Sequence, residues 1–203
     1  MKLYVVRHGQ TEENASGIVQ GHNHGTLSSL GIEQSKLLAT RLREIQFDAI
    51  YTSDLRRALE TAQSIAQFQH TRVEQNVLLR ERNGGVFQGR PLAELGLAEQ
   101  QSGLSKADFT PPNGESYRDL QARVILFLNG LKVHDQHETL LIVSHGRWIR
   151  MLLALAMNLE IGESLSIKQL NTCVNLLSYD RNSGFTVHLL NCTEHLTTLA
   201  TIM

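Results

Sequence analysis

Leu3-Tyr4-Val5-Val6-Arg7-His8-Gly9 and Leu140-Leu141-Ile142-Val143-Ser144-His145-Gly146 share one pattern: four apolar residues, one polar residue, then His-Gly. Each apolar run is short and unbroken, as expected of a strand buried on both faces of a parallel sheet. In an open α/β sheet, whatever follows such strands arrives at the carboxyl edge, where ligands bind. The pattern therefore predicts that His8 and His145 share one crevice. Arg7 adds a permanent cation there, and the glycine after each histidine is expected to let the backbone turn sharply. A dianionic phosphate is the ligand this set suits best.

Outward from these runs, strand and helix patterns alternate. A polar loop from Gly9 to Thr26 precedes a helix opening near Ser28, in which Leu30, Leu37, Leu38, Leu42 and Ile45 fall at helical spacing. Phe47 to Thr52 reads as a buried strand, and a helix from about Leu55 to Gln67 carries Arg56 and Arg57 in its first turn. Thr71 to Val77 is a third strand. The loop Leu79 to Gly89 is followed by an irregular, lid-like segment over about 85–115, with a short helix around Leu92 to Gln101. Ser116-x-x-Asp119 has the form of a capping box opening a helix with Leu120, Val124, Phe127, Leu128 and Leu131 inward. A helix from about Trp148 to Leu159 follows the second histidine. Val174 to Tyr179 and Phe185 to Leu190, joined by Asp180 to Gly184, read as an antiparallel pair. The fold class is α/β: a three-layer α/β/α arrangement around a mostly parallel, doubly wound sheet.

The 203 residues, 41% of them hydrophobic, suffice for one sizeable core and are read as a single domain, 1–203. A formal net charge of -1 argues against nucleic acid or anionic membrane as a partner, since both need a basic footprint. The start of the chain lacks the long apolar region of a secretory signal, so a cytoplasmic location is expected. Cys173 and Cys192 read as core or strand thiols rather than a disulfide. His22-Asn23-His24 lacks Cys, Asp or Glu partners at ligand spacing, and no metal is assigned to it. Arg56, Glu12, Glu13 and Glu33 are read as solvated surface, and Trp148 as packing. The tail Thr197–Met203 is short and apolar, and no oligomer is indicated.

Five ordered motifs carry a family resemblance: Arg7-His8-Gly9-Gln10-Thr11-x-x-Asn14; Leu27-Ser28-x-x-Gly31-x-x-Gln34; Ser53-Asp54-Leu55-x-Arg57-Ala58-x-x-Thr61-Ala62; Leu79-Arg80-Glu81-Arg82; and Ser144-His145-Gly146. The chain resembles the histidine phosphatase superfamily, in its phosphoglycerate mutase-like branch. The resemblance implies a phosphohistidine on His8, with one ring nitrogen fixed as a donor and the other free to attack. It also implies phosphate-holding roles for Arg7 and Arg57, stabilisation by a charged His145, and proton donation by Glu81. Asn14, Gln20, Gly21 and Gly146 are the implied substrate-binding positions. No cofactor or metal is called for, and the partner is a small phosphorylated metabolite.

Glu81 would need a raised pKa, obtainable by burial near Val86 and Phe87, while nearby arginines oppose it. Glu81 and His145 are only 64 positions apart, and no Arg-Arg pair lies between them, as the family's mutases would require. Gly89 to Leu95, Phe109 to Ser116 and Asn191-x-x-x-His195-Leu196 look instead like the phosphatase branch. That branch includes TIGAR-type fructose-2,6-bisphosphatases, broad-specificity bacterial phosphatases and α-ribazole phosphatases. The reading is therefore a metal-independent phosphomonoester hydrolase. A cofactor-dependent phosphoglycerate mutase is the alternative, and a catalytically silent phospholigand-binding member is a further one. Gln10 and Gln88 stand where the family more often has glutamate, which is expected to make the pocket mouth less negative and favour a bisphosphate or phosphocarboxylate.

Overall fold

A computed structural model describes residues 1–133 and 138–200. Its elements run β1 (Lys2–Arg7), α1 (Glu12–Ala15), α2 (Ser29–Leu42), β2 (Ala49–Thr52), α3 (Arg56–Ala66), β3 (Val73–Gln75), α4 (Leu92–Gln101), α5 (Tyr117–Val133), β4 (Thr139–Ser144), α6 (Gly146–Met157), α7 (Ile161–Ser164), β5 (Val174–Asp180), β6 (Gly184–Cys192) and α8 (Thr197–Ala200). Of the apolar tail, Thr197–Ala200 forms α8, and residues 201–203 lie outside the described residues.

The sheet order is β3-β2-β4-β1-β5-β6. β1, β2, β3 and β4 are parallel, while β5 pairs antiparallel with both β1 and β6. Side chains alternate across a strand, so the unbroken apolar runs serve two cores at once. Leu3, Val5, Leu140 and Ile142 face a cluster with Leu120, Val124, Phe127, Ile149 and Leu152 from α5 and α6. Val6, Leu141 and Val143 face Leu38, Leu42, Ala58, Ala62 and Ile65 from α2 and α3. The molecule is thus a three-layer α/β/α sandwich, as the strand and helix patterns predict.

Local chemistry sets the element ends. The Ser28 hydroxyl accepts from the Gly31 amide at 3.1 Å and opens α2. Ser116 and Asp119 exchange backbone-to-side-chain bonds at 2.9 and 3.0 Å, the expected capping box ahead of α5. β3 is shorter than the Thr71–Val77 pattern suggests. Asn76 accepts from the Leu78 amide at 2.9 Å and turns Val77–Leu79 into a 3₁₀ turn. The helix after the second histidine starts at Gly146, two residues earlier than its apolar stripe, and stops at Asn158, which takes a left-handed φ of 54°.

Candidate active site

β1 and β4 are hydrogen-bonded neighbours with Arg7 opposite Ser144, so both histidines leave the sheet side by side. The His8 amide donates to the Ser144 carbonyl at 3.1 Å. The two rings lie with centroids 5.1 Å apart and planes at 58°. His8 opens on a cavity of about 190 Å³ whose walls also include Arg7, Glu13, Asn14, Arg57 and Glu81, with the His145 ring buried beside it. Gln20, Gly21 and Gly146 also line it, so every implied substrate-binding position reaches the same space.

His8 is almost fully buried, and its Nδ1 lies 2.7 Å from the Gly9 carbonyl oxygen. A carbonyl can only accept, so Nδ1 carries the proton and Nε2 keeps its lone pair. Burial, then the charges of Arg57 and Arg7, hold the His8 pKa well below that of a free imidazole. His145 is held neutral in the same way, by burial and then by Arg57, His8 and Arg7. The charge expected on His145 is thus opposed first by burial and then by Arg57, His8, Arg7 and Arg123. Both His145 nitrogens are buried and lack a partner among the described residues.

Arg57 is buried and points its guanidinium by donating to the Asn23, His24 and Gly21 carbonyls at 2.5, 3.0 and 2.9 Å. Burial lowers its pKa to about 10, against the pull of Glu81 and Glu13, so it stays charged at neutral pH. Arg7 donates to the Gln169 carbonyl at 2.6 Å. Asn14 closes the Thr11 cap, its Oδ1 accepting from the Thr11 amide at 3.3 Å and from Asn171 at 3.3 Å.

Neither motif glycine turns the chain through a positive φ. A Cβ on Gly9 would sit 2.6 Å from the Gly31 carbonyl oxygen, and one on Gly31 would sit 1.9 Å from the Gln10 carbonyl oxygen. Both glycines exist for close approach, pressing the segment after His8 onto α2. Gly146 is the first residue of α6, with Arg7 Nε 3.4 Å from where its Cβ would be.

Glu81 accepts from the Arg82 amide at 2.8 Å and the Arg147 amide at 3.4 Å, with the Arg147 guanidinium 4.0 Å away. Burial pushes its pKa up, but Arg147, the Arg82 amide and Arg57 together outweigh it, and the net shift is downward. Val86, expected to help bury this carboxyl, is itself exposed. Glu81 is instead fixed from behind, since Arg123 donates to the Leu78, Arg80 and Glu81 carbonyls at 2.9, 2.7 and 3.0 Å.

Several cavity residues lie outside the motifs. Arg147 and Arg150 line the cavity from α6; the spacing Arg-x-x-Arg directly after Ser144-His145-Gly146 was the available signal. Glu13, expected on the solvated surface, lines it too and accepts from the Thr26 amide at 3.3 Å. Leu92 and Gly17 to Val19 form the outer wall. Gln10 and Gln88 do not line the cavity: Gln10 accepts from the Ser28 hydroxyl at 2.9 Å, and Gln88 from the His22 amide at 2.6 Å. Their effect on pocket charge is therefore indirect at most. Arg56 is exposed and paired with Glu60, and Trp148 is buried with its indole on the Leu78 carbonyl, both as read. The His22 and His24 rings are engaged separately, one with the Glu81 carbonyl at 2.9 Å and one with the Arg56 amide at 3.4 Å.

The model of the histidine phosphatase superfamily (branch 1) matches residues 3–193. A protein named "Probable phosphoglycerate mutase GpmB" from Proteus mirabilis (strain HI4320) is 30% identical over 98% of this chain and 97% of its own. The solved α-ribazole phosphatase from Shigella flexneri matches 95% of this chain and 97% of its own at TM-score 0.86 and 26% identity. A phosphoserine phosphatase from Entamoeba histolytica, solved with 3-phosphoglyceric acid, matches 96% of this chain and 98% of its own at TM-score 0.84 and 30% identity.

Proposed function

The chain belongs to the histidine phosphatase superfamily, and from that premise we propose that it is a metal-independent phosphomonoester hydrolase working through a phosphohistidine on His8. The observation that carries this reading is the His8 ring, which lines a cavity walled by Arg7 and Arg57 and commits its Nδ1 proton to the Gly9 carbonyl, leaving Nε2 as the unprotonated nitrogen. The substrate of this reading is a small phosphorylated metabolite of the sugar bisphosphate, phosphoglycerate or α-ribazole phosphate class.

In the first half-reaction Nε2 bonds to phosphorus as the ester P–O bond breaks, and the Glu81 carboxyl gives its proton to the departing alkoxide. Arg7, Arg57 and the Asn14 amide hold the non-bridging oxygens in place. A bound dianion offsets the arginine charges, which lower the Glu81 pKa and add to burial in lowering that of His145, so ligand binding itself favours a proton on each. In the second half-reaction water attacks phosphorus, the P–N bond breaks, and Glu81 takes the water proton. Inorganic phosphate leaves and the site is restored. The positive charge at the site comes from guanidinium groups, which is why we place no metal in the cycle.

The mutase alternative draws on the name of the Proteus mirabilis relative. A mutase would need a bisphosphate primer and would isomerise phosphoglycerate faster than it releases phosphate. The deciding experiment is a quench of protein treated with EDTA and labelled substrate. Phosphate release exceeding isomerisation, with an acid-labile, alkali-stable label on the protein that His8→Ala abolishes, is the expected result. Release that requires added divalent metal, or a label that survives His8→Ala, refutes the reading.

A further inference from the structure

Arg147 and Arg150 sit at the start of α6, three residues apart and hence on one face. Cations at that end of a helix oppose its macrodipole, which favours carboxylates there. Both are nonetheless turned into the cavity, where they join Arg7 and Arg57 against only Glu13 and Glu81. Such a local conflict is the mark of a functional position rather than of fold stability.

The charges do not close around a simple phosphate monoester. Four guanidinium groups against two carboxylates leave a surplus of two, which rises to three when Glu81 holds the proton it must donate. A phosphate dianion brings only about two negative charges. The remaining cation can be named. Arg147 is partly satisfied by Glu81 at 4.0 Å and by the Tyr117 hydroxyl at 3.2 Å. Arg150 spends only Nε, on the Ile167 carbonyl at 2.8 Å, and has no carboxylate partner among the described residues. That bond fixes the direction of the guanidinium while leaving both terminal nitrogens available. Arg150 and Arg147 line the same cavity as Arg7, and their charges add to burial in lowering its pKa. Glu13, by contrast, acts on Arg57.

We propose that Arg150, backed by Arg147, forms a second anion-binding position beside the phosphate cradle, so that the preferred substrates are phosphate esters carrying a further carboxylate or phosphate. The inference rests on the phosphatase reading and narrows its substrate class, away from esters whose remainder is uncharged.

The test is a comparison of matched pairs. One pair is 3-phosphoglycerate and the glycerol phosphate of matched configuration, which carries a hydroxymethyl group in place of the carboxylate. The other is fructose 1,6-bisphosphate and fructose 6-phosphate. A charge-assisted pair in a shielded site predicts a preference of about 10- to 100-fold in kcat/KM for the more anionic member of at least one pair. The pair that shows it identifies the second group. Arg150→Met brings that preference down to within a few-fold of one, mainly through KM, and Arg150→Lys keeps part of it. Arg56→Met, outside the cavity, leaves it unchanged. Arg147→Met provides a second variant, lowering the preference and also shifting the pH profile through Glu81. A wild-type preference near one in both pairs, or one that survives Arg150→Met, overturns the proposal while leaving the phosphatase reading intact. If none of the four compounds releases phosphate, turnover of phosphoglycerates and fructose phosphates is excluded, and the phosphatase reading is judged by the His8 label alone. Calorimetric binding of the same pairs to the wild-type protein then decides the anion position by the same ratio.

Discussion

Acidification should destabilise this protein through its two buried imidazoles, His8 and His145. His8 and His145 are 2% and 0% exposed, and burial among arginines depresses both pKa values well below the ordinary 6.5. An imidazole depressed in the fold binds its proton more readily in the unfolded chain. Below pH 6.5 the unfolded state therefore takes up more protons, and stability falls as pH falls; above about pH 7.5 both states are neutral and this contribution is flat. While the folded imidazoles stay neutral, each one costs about 1.4 kcal/mol per pH unit below 6.5. For the pair the slope tends toward about 2.8 kcal/mol per pH unit, appreciable against a typical folding free energy. The assay is urea unfolding at half-unit pH steps, followed by the fluorescence of Trp148, the single and buried tryptophan. His145→Asn removes one titrating group and should reduce the acid-side slope by about 1.4 kcal/mol per unit. Inorganic phosphate, by placing negative charge among the arginines, should flatten the wild-type dependence. A wild-type stability that is constant between pH 7 and 5, or a His145→Asn slope equal to the wild-type slope, refutes the assignment of neutral, buried imidazoles.

Other perturbations probe different parts of the molecule. Arg82 is buried and donates to the Glu115 and Phe109 carbonyls at 2.7 and 2.9 Å and to Glu99 at 3.0 Å, while stacking over Tyr117 at 4.2 Å. Arg82→Met strands that carboxylate and should cost about 3–5 kcal/mol, lowering Tm by about 6–20 °C; a shift under 3 °C counts against its anchoring role. Glu81→Gln should reduce turnover of alkyl phosphates by about 10²- to 10⁴-fold, and reduce formation of the phosphoenzyme from p-nitrophenyl phosphate much less, because nitrophenolate leaves without a proton. Equal losses in pre-steady-state bursts with both substrates would exclude Glu81 as the acid. Gly31→Ala places a Cβ 1.9 Å from the Gln10 carbonyl oxygen and must move the segment behind His8. It should cost about 1–3 kcal/mol and lower kcat as well, measured by thermal melts and phosphate release; wild-type values for both would mean that this contact is not close in solution.

The layers and the site's main members were legible because each rests on a local pattern. Two apolar runs ending in His-Gly specify buried strands with histidines at their carboxyl ends, and Arg57 sits in the first turn of a helix that follows another such strand. What was not legible depends on neighbours distant in sequence. Strand order decides that β1 and β4 touch, and no spacing in the chain encodes it. The His145 pKa is lowered by burial and then by Arg57, His8 and Arg7, a balance visible only when three segments meet. Gly9 resembles a turn glycine until α2 is packed against it. The segment Gln169 to Thr172 escaped notice because its work is done largely by backbone: the Gln169 carbonyl holds Arg7, and the Thr172 amide donates to the Arg7 carbonyl at 3.1 Å. Glu13 reads as surface in a polar loop and reaches the cavity only because α1 folds back under its Thr11 cap.

The outer wall of the cavity is joined by main-chain bonds: the Val19 amide to the Arg90 carbonyl at 2.9 Å, the Gly89 amide to the Val19 carbonyl at 2.8 Å, and the Leu92 amide to the Gly17 carbonyl at 2.8 Å. Such a seam is indifferent to which side chains hang from it. Ile18 and Leu92 can therefore be exchanged for larger, smaller or more polar groups while the seam stays stitched and the machinery beneath is undisturbed. The enzyme's appetite and its chemistry are separately adjustable, and a library confined to those two positions would be the economical place to redirect it.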